Sequence, residues 1–363
     1  MKIKNVIVGS GFAGSIIARR IAEEKDEDVL LIEKRSHIGG NAYDFYNQEG
    51  ILVHKYGPHI FHTNEKVVWD YLSRFTEWRL YQHKVLAFVD GQTLPMPINL
   101  DTINKLYGSE YNVHDMESFF ESVRLPKENI NNSEDTIVSR IGTELFQKFF
   151  KNYTKKQWDL YPDELQPDVT ARVFPRISRD SRYFIDRYQG IPKYGYTSMF
   201  QNILDHSNIH IILNTNFVDI KSELNFERLI YTGCIDEFFD FKYGKLPYRS
   251  LRFEFESLNQ AQYQAVGTVN YPNDYDFTRI TEFKHLTGQK CYNTTIMKEY
   301  PSEDGEPFYP IPKLQYQELY EMYATEAKKL ENTYFCGRLG NYKYHNMDKV
   351  VLNSLQLLDE IYF

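Results

Sequence analysis

The chain has 363 residues, 42% of them hydrophobic and 16% aromatic, which excludes disorder and predicts a core shared by about two domains. A formal charge of -8 excludes a general polyanion binder, so any phosphate site must be local and no nucleic-acid partner is expected. Cys234, Cys291 and Cys336 have no CxxC spacing, no leader-like n-region opens the chain, and no apolar run reaches roughly 18 residues. The expectation is a cytoplasmic protein with no membrane partner, no disulfide framework and no metal.

In chain order, "KIKNVIVGSGFAGSIIARRIAEEKDEDVLLIEKR" reads as strand (3–8), tight turn, helix (12–24) and strand (29–32), a βαβ start. A helix follows over 65–75, and "HKVLAFVDGQTLPMPI" is a hairpin turning at Asp90-Gly91. Helix-period segments near 116–124, 134–141 and 143–152 predict an inserted helical region. The stretch 167–192 has no clean period and reads as a loop-rich, mobile connection. Helix then strand return in "GYTSMFQNILDHSNIHIIL", and "RLIYTG" is another strand. Alternating stretches between Tyr248 and Tyr300 predict antiparallel strands. A helix over 313–330, the strand "TYFCG" and a helix over 346–361 close the chain.

Gly9-Ser10-Gly11-Phe12-Ala13-Gly14 follows a strand and opens a helix, and Glu33 ends the next strand nineteen residues past Gly14. This is the dinucleotide-binding pattern: Gly9 permits the turn, Gly11 lets backbone approach a pyrophosphate, Gly14 lets helix pack on strand, and Glu33 takes a ribose diol. The turn alone does not choose between FAD and NAD. A basic double-glycine segment just beyond the acid, Lys34, Arg35, Gly39, Gly40 and Asn41, favours FAD, as does the closing strand–Gly337-Arg338–helix. The count of 29 Tyr and 25 Phe against 3 Trp suits a polyhydroxy or planar ligand as well as an aromatic core.

Three histidines, His54, His59 and His62, stand close together. Zinc needs a ligand set, and here no carboxylate or cysteine completes one, while Gly57-Pro58 breaks any helical spacing. The other reading is the lining of a cofactor pocket opened by Gly39 and Gly40.

Taken together, "GSGFAGS", "IEKRSHIGGNAYD", "HKYGPHIFHTN", "NYTKKQW", "RYFIDRYQGIPKYGYT", "PYRSLRFE", "TRITEFKH", "EPFYPIP" and "GRLGNYKY" resemble the bacterial UDP-galactopyranose mutase family, collinearly from residue 6 to residue 350. The resemblance implies an α/β chain with a Rossmann-like, glutathione-reductase-type FAD domain (1–80, 188–245 and 331–363). It further implies an inserted helical domain (98–165) and an antiparallel sheet domain (81–97, 166–187 and 246–330) with a mobile loop at 166–180. It implies interconversion of UDP-galactopyranose and UDP-galactofuranose on reduced FAD, whose N5 attacks the anomeric carbon with no net redox change. An external reductant such as NAD(P)H and a homodimer are implied as well.

By motif position, Arg172 and Arg279 are the family's diphosphate arginines, and both count as catalytic with His59. Tyr153 and Trp158 fall on the uridine side, and Phe149 counts as substrate-binding. Tyr183, Tyr309 and Tyr344 reach the diphosphate, and Arg249 lies near flavin and substrate. Cofactor contacts extend to His59, His62, Phe217, Val218, Arg338, Tyr344, Asn346 and Met347. Arg176, Arg179, Arg182 and Arg187 read as solvated or paired with Asp180 and Asp186.

Two departures bear on the sugar. His345-Asn346 replaces a tyrosine-aspartate pair, and His83 replaces an asparagine over the sugar site. A 2-acetamido sugar, as in UDP-N-acetylgalactosamine, is therefore an alternative substrate. A flavin amine-oxidase-like oxidoreductase and a non-catalytic nucleotide-sugar binder are the other readings.

Overall fold

The computed structural model describes residues 2–171 and 174–362. Its first layer is a five-stranded, all-parallel sheet in the order Ile209–Ile212, Val29–Ile32, Ile3–Val8, Phe226–Tyr231 and Thr333–Phe335. The central strands read as near-continuous apolar runs because helices cover the sheet, so no side is left for polar residues. Phe12–Lys25 buries Ile16, Ile17, Ala18 and Ile21, and Met347–Tyr362 packs against it, so the two ends of the chain share one core.

The second layer is a seven-stranded sheet in the order Tyr309–Pro310, Tyr248–Leu258, Thr294–Ser302, Arg279–Glu282, Thr268–Asn270, Val85–Val89 and Gln92–Met96. The Asp90-Gly91 hairpin forms as expected, with Val89 opposite Gln92. The sheet is not wholly antiparallel, because Thr268–Asn270 runs parallel to Val85–Val89. That pairing joins strands from distant parts of the chain through a crossover, which alternation within either segment cannot reveal.

The helical insertion comprises Leu100–Tyr107, Val113–Val123, Ser133–Phe146 and Asn152–Trp158, the last two joined by a π turn. Ser133–Phe146 breaks at Gly142, whose φ is 77°; a Cβ there would sit 2.2 Å from the Val123 carbonyl oxygen. That contact separates the two periodic segments read at 134–141 and 143–152. Leu100–Tyr107 carries no prediction in the sequence, being short and capped by Asn99 with Thr102 rather than with an acid. Met116, Phe120, Ile137, Phe146 and Phe149 pack on Val85, Ala87, Leu94 and Met96, so insertion and hairpin share a core. Among the described residues no helix is long and apolar enough to cross a membrane.

Candidate functional site

The turn after the first strand leaves bare backbone. Gly9 has φ +97°, and a Cβ on it would lie 2.1 Å from Thr232 Oγ1; one on Gly14 would lie 1.9 Å from the Gly9 carbonyl oxygen. Gly40, φ +55°, brings its α-carbon against Gly11, where a Cβ would be 2.9 Å from Gly11 Cα. The glycines thus give helix–strand contact and a floor without side chains. Phe12–Lys25 has neither a side-chain cap nor an acid in its first turn, so its N-terminal N–H groups and positive dipole end are not offset by the protein.

Around this floor lies a cleft of about 1190 Å³, its solvent mouth included, lined by Gly9, Gly11, Phe12, Ala13, Glu33, Lys34, Arg35, Gly39, Gly40, Asn41, His59, Phe217, Gly337, Arg338 and Met347. Ser10 is buried behind it: its N–H and Oγ donate to Glu33 Oε2 at 2.9 and 2.7 Å, while Arg35 N–H donates to Oε1 at 2.9 Å. A carboxylate has about four acceptor sites, so Glu33 is oriented by three bonds and keeps room for a ribose hydroxyl. Arg35 stacks 4.2 Å from the Tyr56 ring and donates to Asn41 Oδ1 at 3.0 Å and to Glu306, tying two segments across the cleft. The bare floor, open helix end and acid fit an extended dinucleotide such as FAD.

Gly14, His62, Val218, Tyr344 and Asn346 do not line this cleft. Gly14 serves packing, and Val218 N–H is taken by the Asn216 side chain at 3.4 Å. Asn346 is exposed where Met347–Tyr362 begins, its carbonyl accepting from Val350.

The three histidines go to three tasks. His54 is buried and its Nδ1 accepts from His59 N–H at 3.0 Å; burial pushes its pKa down to about 3. His59 Nδ1 lies 2.8 Å from the Gly57 carbonyl, which makes Nδ1 the donor and leaves Nε2 as the acceptor. Burial, with His54 and Arg338 beside it, pushes His59 to about 3, so it faces the cleft as a neutral ring. His62 stands apart, stacked 3.7 Å from Phe184 with Nδ1 2.9 Å from Asp186.

A second cluster sits on one face of the large sheet. Register places Asn270 opposite Arg279 and Arg279 opposite Glu299, with Arg249 opposite Tyr309 further along. Arg279 Nε is 3.4 Å from Glu299 Oε2. Burial opposes the Arg279 charge, but the nearby Glu299 carboxylate outweighs it, holding the guanidinium above its usual pKa, with Tyr153, Tyr183 and Tyr309 close by. Burial pushes Glu299 up, against the pull of Arg279. Among the described residues, Glu299 Oε1, Asn270 Oδ1, Thr268 Oγ1 and Thr281 Oγ1 are buried without a hydrogen-bond partner. Such groups cost about 1–3 kcal/mol each, so a row of them points to a polar ligand.

Tyr153 is half-buried beside Arg279, and Tyr183 packs edge-on to Phe184 and His83. His83 is buried, 3.2 Å from Tyr81 OH, and burial with Arg279 and His62 nearby lowers its pKa to about 3. Trp158 is buried edge-on between Tyr309 and Tyr344, at 5.3 and 5.4 Å, and Phe149 lies in the helical core. These two rings pack with protein neighbours. Arg249 is buried, its Nε donating to the Gln157 carbonyl at 3.2 Å. Arg338 lines the cleft, donates to the His345 carbonyl at 2.8 and 3.2 Å and to the Phe308 carbonyl at 3.4 Å, and lies 5.8 Å from the Tyr344 ring, which packs on Tyr309.

Arg172 lies outside the described residues. Of the arginines after it, Arg176 and Arg182 pair with Asp180, and Arg179 pairs with Asp101. Asp186 is taken by His62, and Arg187 lies over Tyr188 at 5.4 Å, so the expected Asp186 pairing does not form. Asn270, Glu299, Glu306 and Thr232 escape sequence reasoning, since each acts through a neighbour distant in the chain. Only the Thr232-Gly233 step after a strand carries a local signal.

Comparisons with known proteins follow the same geometry. A family model described as UDP-galactopyranose mutase matches residues 148–344, and one described as NAD(P)-binding Rossmann-like domain matches residues 7–75. A Klebsiella pneumoniae protein named "Probable UDP-galactopyranose mutase" is 38% identical over 99% of this chain and 95% of its own. The dTDP-fucopyranose mutase of Escherichia coli is 34% identical over 97% of both chains. A crystal structure of reduced UDP-galactopyranose mutase superposes with TM-score 0.78 at 18% identity, covering 99% of this chain and 94% of that one. An oxidoreductase from Methanosarcina mazei shares the fold at TM-score 0.61 and 11% identity, covering 98% and 100%. With nearly full-length identity to curated relatives, a dinucleotide cleft and a polar sheet face beside it, the chain belongs to the UDP-galactopyranose mutase family.

Proposed function

We propose that this chain interconverts UDP-galactopyranose and UDP-galactofuranose with bound, reduced FAD. The observation that carries the reading is the Asn270–Arg279–Glu299 row, in which polar atoms lie without hydrogen-bond partners among the described residues and which borders the glycine-floored cleft. Glu299 Oε1 lies 3.8 Å from where a Cβ on Gly57 would stand, and His59, which lines the cleft, bonds the Gly57 carbonyl. Gly9, Gly11 and Gly40 give the cofactor pyrophosphate its backbone floor, the end of Phe12–Lys25 faces it, and Glu33 takes the ribose. Reduced FAD, when bound, supplies a nucleophilic N5 that frees the anomeric carbon for ring exchange without net redox change.

The protein's own part is electrostatic. Arg279, kept charged by Glu299, faces the diphosphate as negative charge builds on the leaving group. Tyr153, Tyr183 and Tyr309 add hydroxyl donors around the same guanidinium, and Tyr344 completes the aromatic wall with Tyr309. Arg172 is the second counter-charge by motif position. His59 offers a neutral Nε2 to a sugar hydroxyl, and the ring itself brings no charge to the reacting carbon. The protein works as a cytoplasmic homodimer reduced by an external donor such as NAD(P)H.

An anaerobic assay decides this. The dithionite-reduced, yellow-to-bleached protein is expected to convert UDP-galactofuranose, while the oxidised protein is inactive. Arg279→Ala retains flavin and loses at least ~10²-fold in turnover; colourless purified protein or redox-independent turnover overturns the reading. The 34% identity to a dTDP-fucopyranose mutase supports a second sugar nucleotide, and the buried His83 supports a 2-acetamido sugar. The same assay therefore includes dTDP-fucopyranose and UDP-N-acetylgalactosamine.

A further inference from the structure

Asn152–Trp158 carries Tyr153 and Trp158, yet its most heavily engaged side chain is neither. Lys156 Nζ donates to three backbone carbonyls of the turn between Thr268–Asn270 and Arg279–Glu282: that of Tyr271, that of Tyr275 at 2.8 Å and that of Phe277 at 3.3 Å. An ammonium has three protons, so donors and acceptors match one to one.

The same turn is tied to the same helical arm by Asn273, whose Nδ2 donates to the Lys148 carbonyl at 3.1 Å and whose Oδ1 accepts from Asn152 at 3.0 Å. It runs without interruption into Thr278, whose N–H and Oγ both donate to the Glu299 carbonyl at 2.9 and 3.2 Å, and then into Arg279. At the far end of the helix, Arg249 donates to the Gln157 carbonyl at 3.2 Å and Gln157 donates to Tyr309 OH. The helix is thus held on one side by the strand pair bearing Arg249 and Tyr309, and on the other by the turn that leads to Arg279.

We propose that Lys156 is a positioning residue for the diphosphate end of the substrate site: its ammonium clamps the 271–277 turn to Asn152–Trp158 and so holds Arg279 at one distance from Tyr153. Lys156 touches neither cofactor nor substrate. The inference rests on the UDP-sugar reading and adds to it the part that sets the width of the site. Neighbouring Lys155 has no such role, pairing with Asp159 at its own helix end.

The clamp carries its own pH signature. Burial pushes the Lys156 ammonium down to about 8, with Asp276 and Asp274 on the turn opposing that shift. The other charged groups at this helix are Lys151 at its start, the Lys155–Asp159 pair at its end, and Arg249, which also faces Glu303. A neutral amine has two N–H donors for three carbonyls, so the turn loosens as pH rises past about 8.

The test is UDP affinity of the oxidised holoenzyme by calorimetry. Lys156→Met weakens UDP binding at least about tenfold, the worth of one charged hydrogen bond, with flavin content unchanged. Lys156→Arg, which keeps a charge and several donors, recovers most of that loss. In the unaltered protein UDP binding weakens as pH is raised through about 8, and in Lys156→Arg it does not. If Lys156→Met does not fold, that pair of pH profiles decides, and identical profiles overturn the proposal. Unchanged affinity in folded Lys156→Met overturns it alone. Failure of the unaltered holoenzyme to bind UDP overturns the UDP-sugar reading, and this inference with it.

Discussion

Replacing Glu299 by Gln keeps the shape of the buried side chain and removes the carboxylate paired with Arg279. At the observed 3.4 Å and an effective dielectric of about 20, the Coulomb attraction is ~5 kcal/mol. Solvent at the partly open guanidinium and the desolvation already met by Glu299 reduce the net loss to ~2–3 kcal/mol. The ligand-free holoenzyme is then expected to melt roughly 3–4 °C lower. UDP binding moves the other way. A guanidinium no longer partly neutralised pulls harder on a diphosphate, so Kd for UDP tightens about fivefold, worth ~1 kcal/mol. Differential scanning fluorimetry with and without UDP reads both signs at once: a lower starting Tm and a larger UDP-induced rise. An unchanged Tm together with an unchanged UDP shift refutes the reasoning, because Arg279 and Glu299 would then not be exchanging charge with the substrate.

Further outcomes follow from local geometry. Gly14→Ala puts a Cβ 1.9 Å from the Gly9 carbonyl oxygen and abolishes flavin in the purified protein, whereas Gly50→Ala, with nothing within 4 Å, leaves the flavin-to-protein ratio unchanged. Asp44, buried, accepts from the N–H groups of Tyr196 and Thr197 at 2.6 and 2.8 Å as a remote cap for Tyr196–Leu204. Asp44→Ala costs ~2–4 kcal/mol, measurable as a lower midpoint in urea. His54, His59 and His83, near 3 in the fold against 6.5 when unfolded, make the unfolded chain the better proton binder on acidification. Stability is therefore full above about pH 6.5 and falls toward lower pH by up to ~1.4 kcal/mol per pH unit per histidine. A Tm that stays flat between about pH 6.5 and about pH 5 contradicts this.

Much of the nucleotide half was legible because its signals are local. A strand, a G-x-G-x-x-G turn, an apolar-periodic helix and an acid follow one another within 33 residues, and each is dictated by neighbours a few positions away. The Asp90-Gly91 hairpin and the break between 134–141 and 143–152 were legible for the same reason. The collinear motifs carried the family resemblance, and with it Arg279, Tyr153, Tyr183 and Tyr309, which the structure gathers around one guanidinium.

What only the tertiary structure decided depends on residues far apart in the chain. Asn270, Arg279 and Glu299 form a row because three strands pair in one register, and a slip of one residue would turn each side chain to the other face. Phe149 and Trp158 bear a binding-site motif but are buried against protein, since rings this large go where the core has room. Asp44 caps a helix more than 150 positions away, Arg35 meets Glu306, and Lys156 reaches a turn more than 110 positions on. Sequence by itself determined the cofactor-binding element and the family, because those rest on short-range steric rules and on motif order. The shape and charge of the substrate site were set by long-range contacts, whose partners no local pattern specifies.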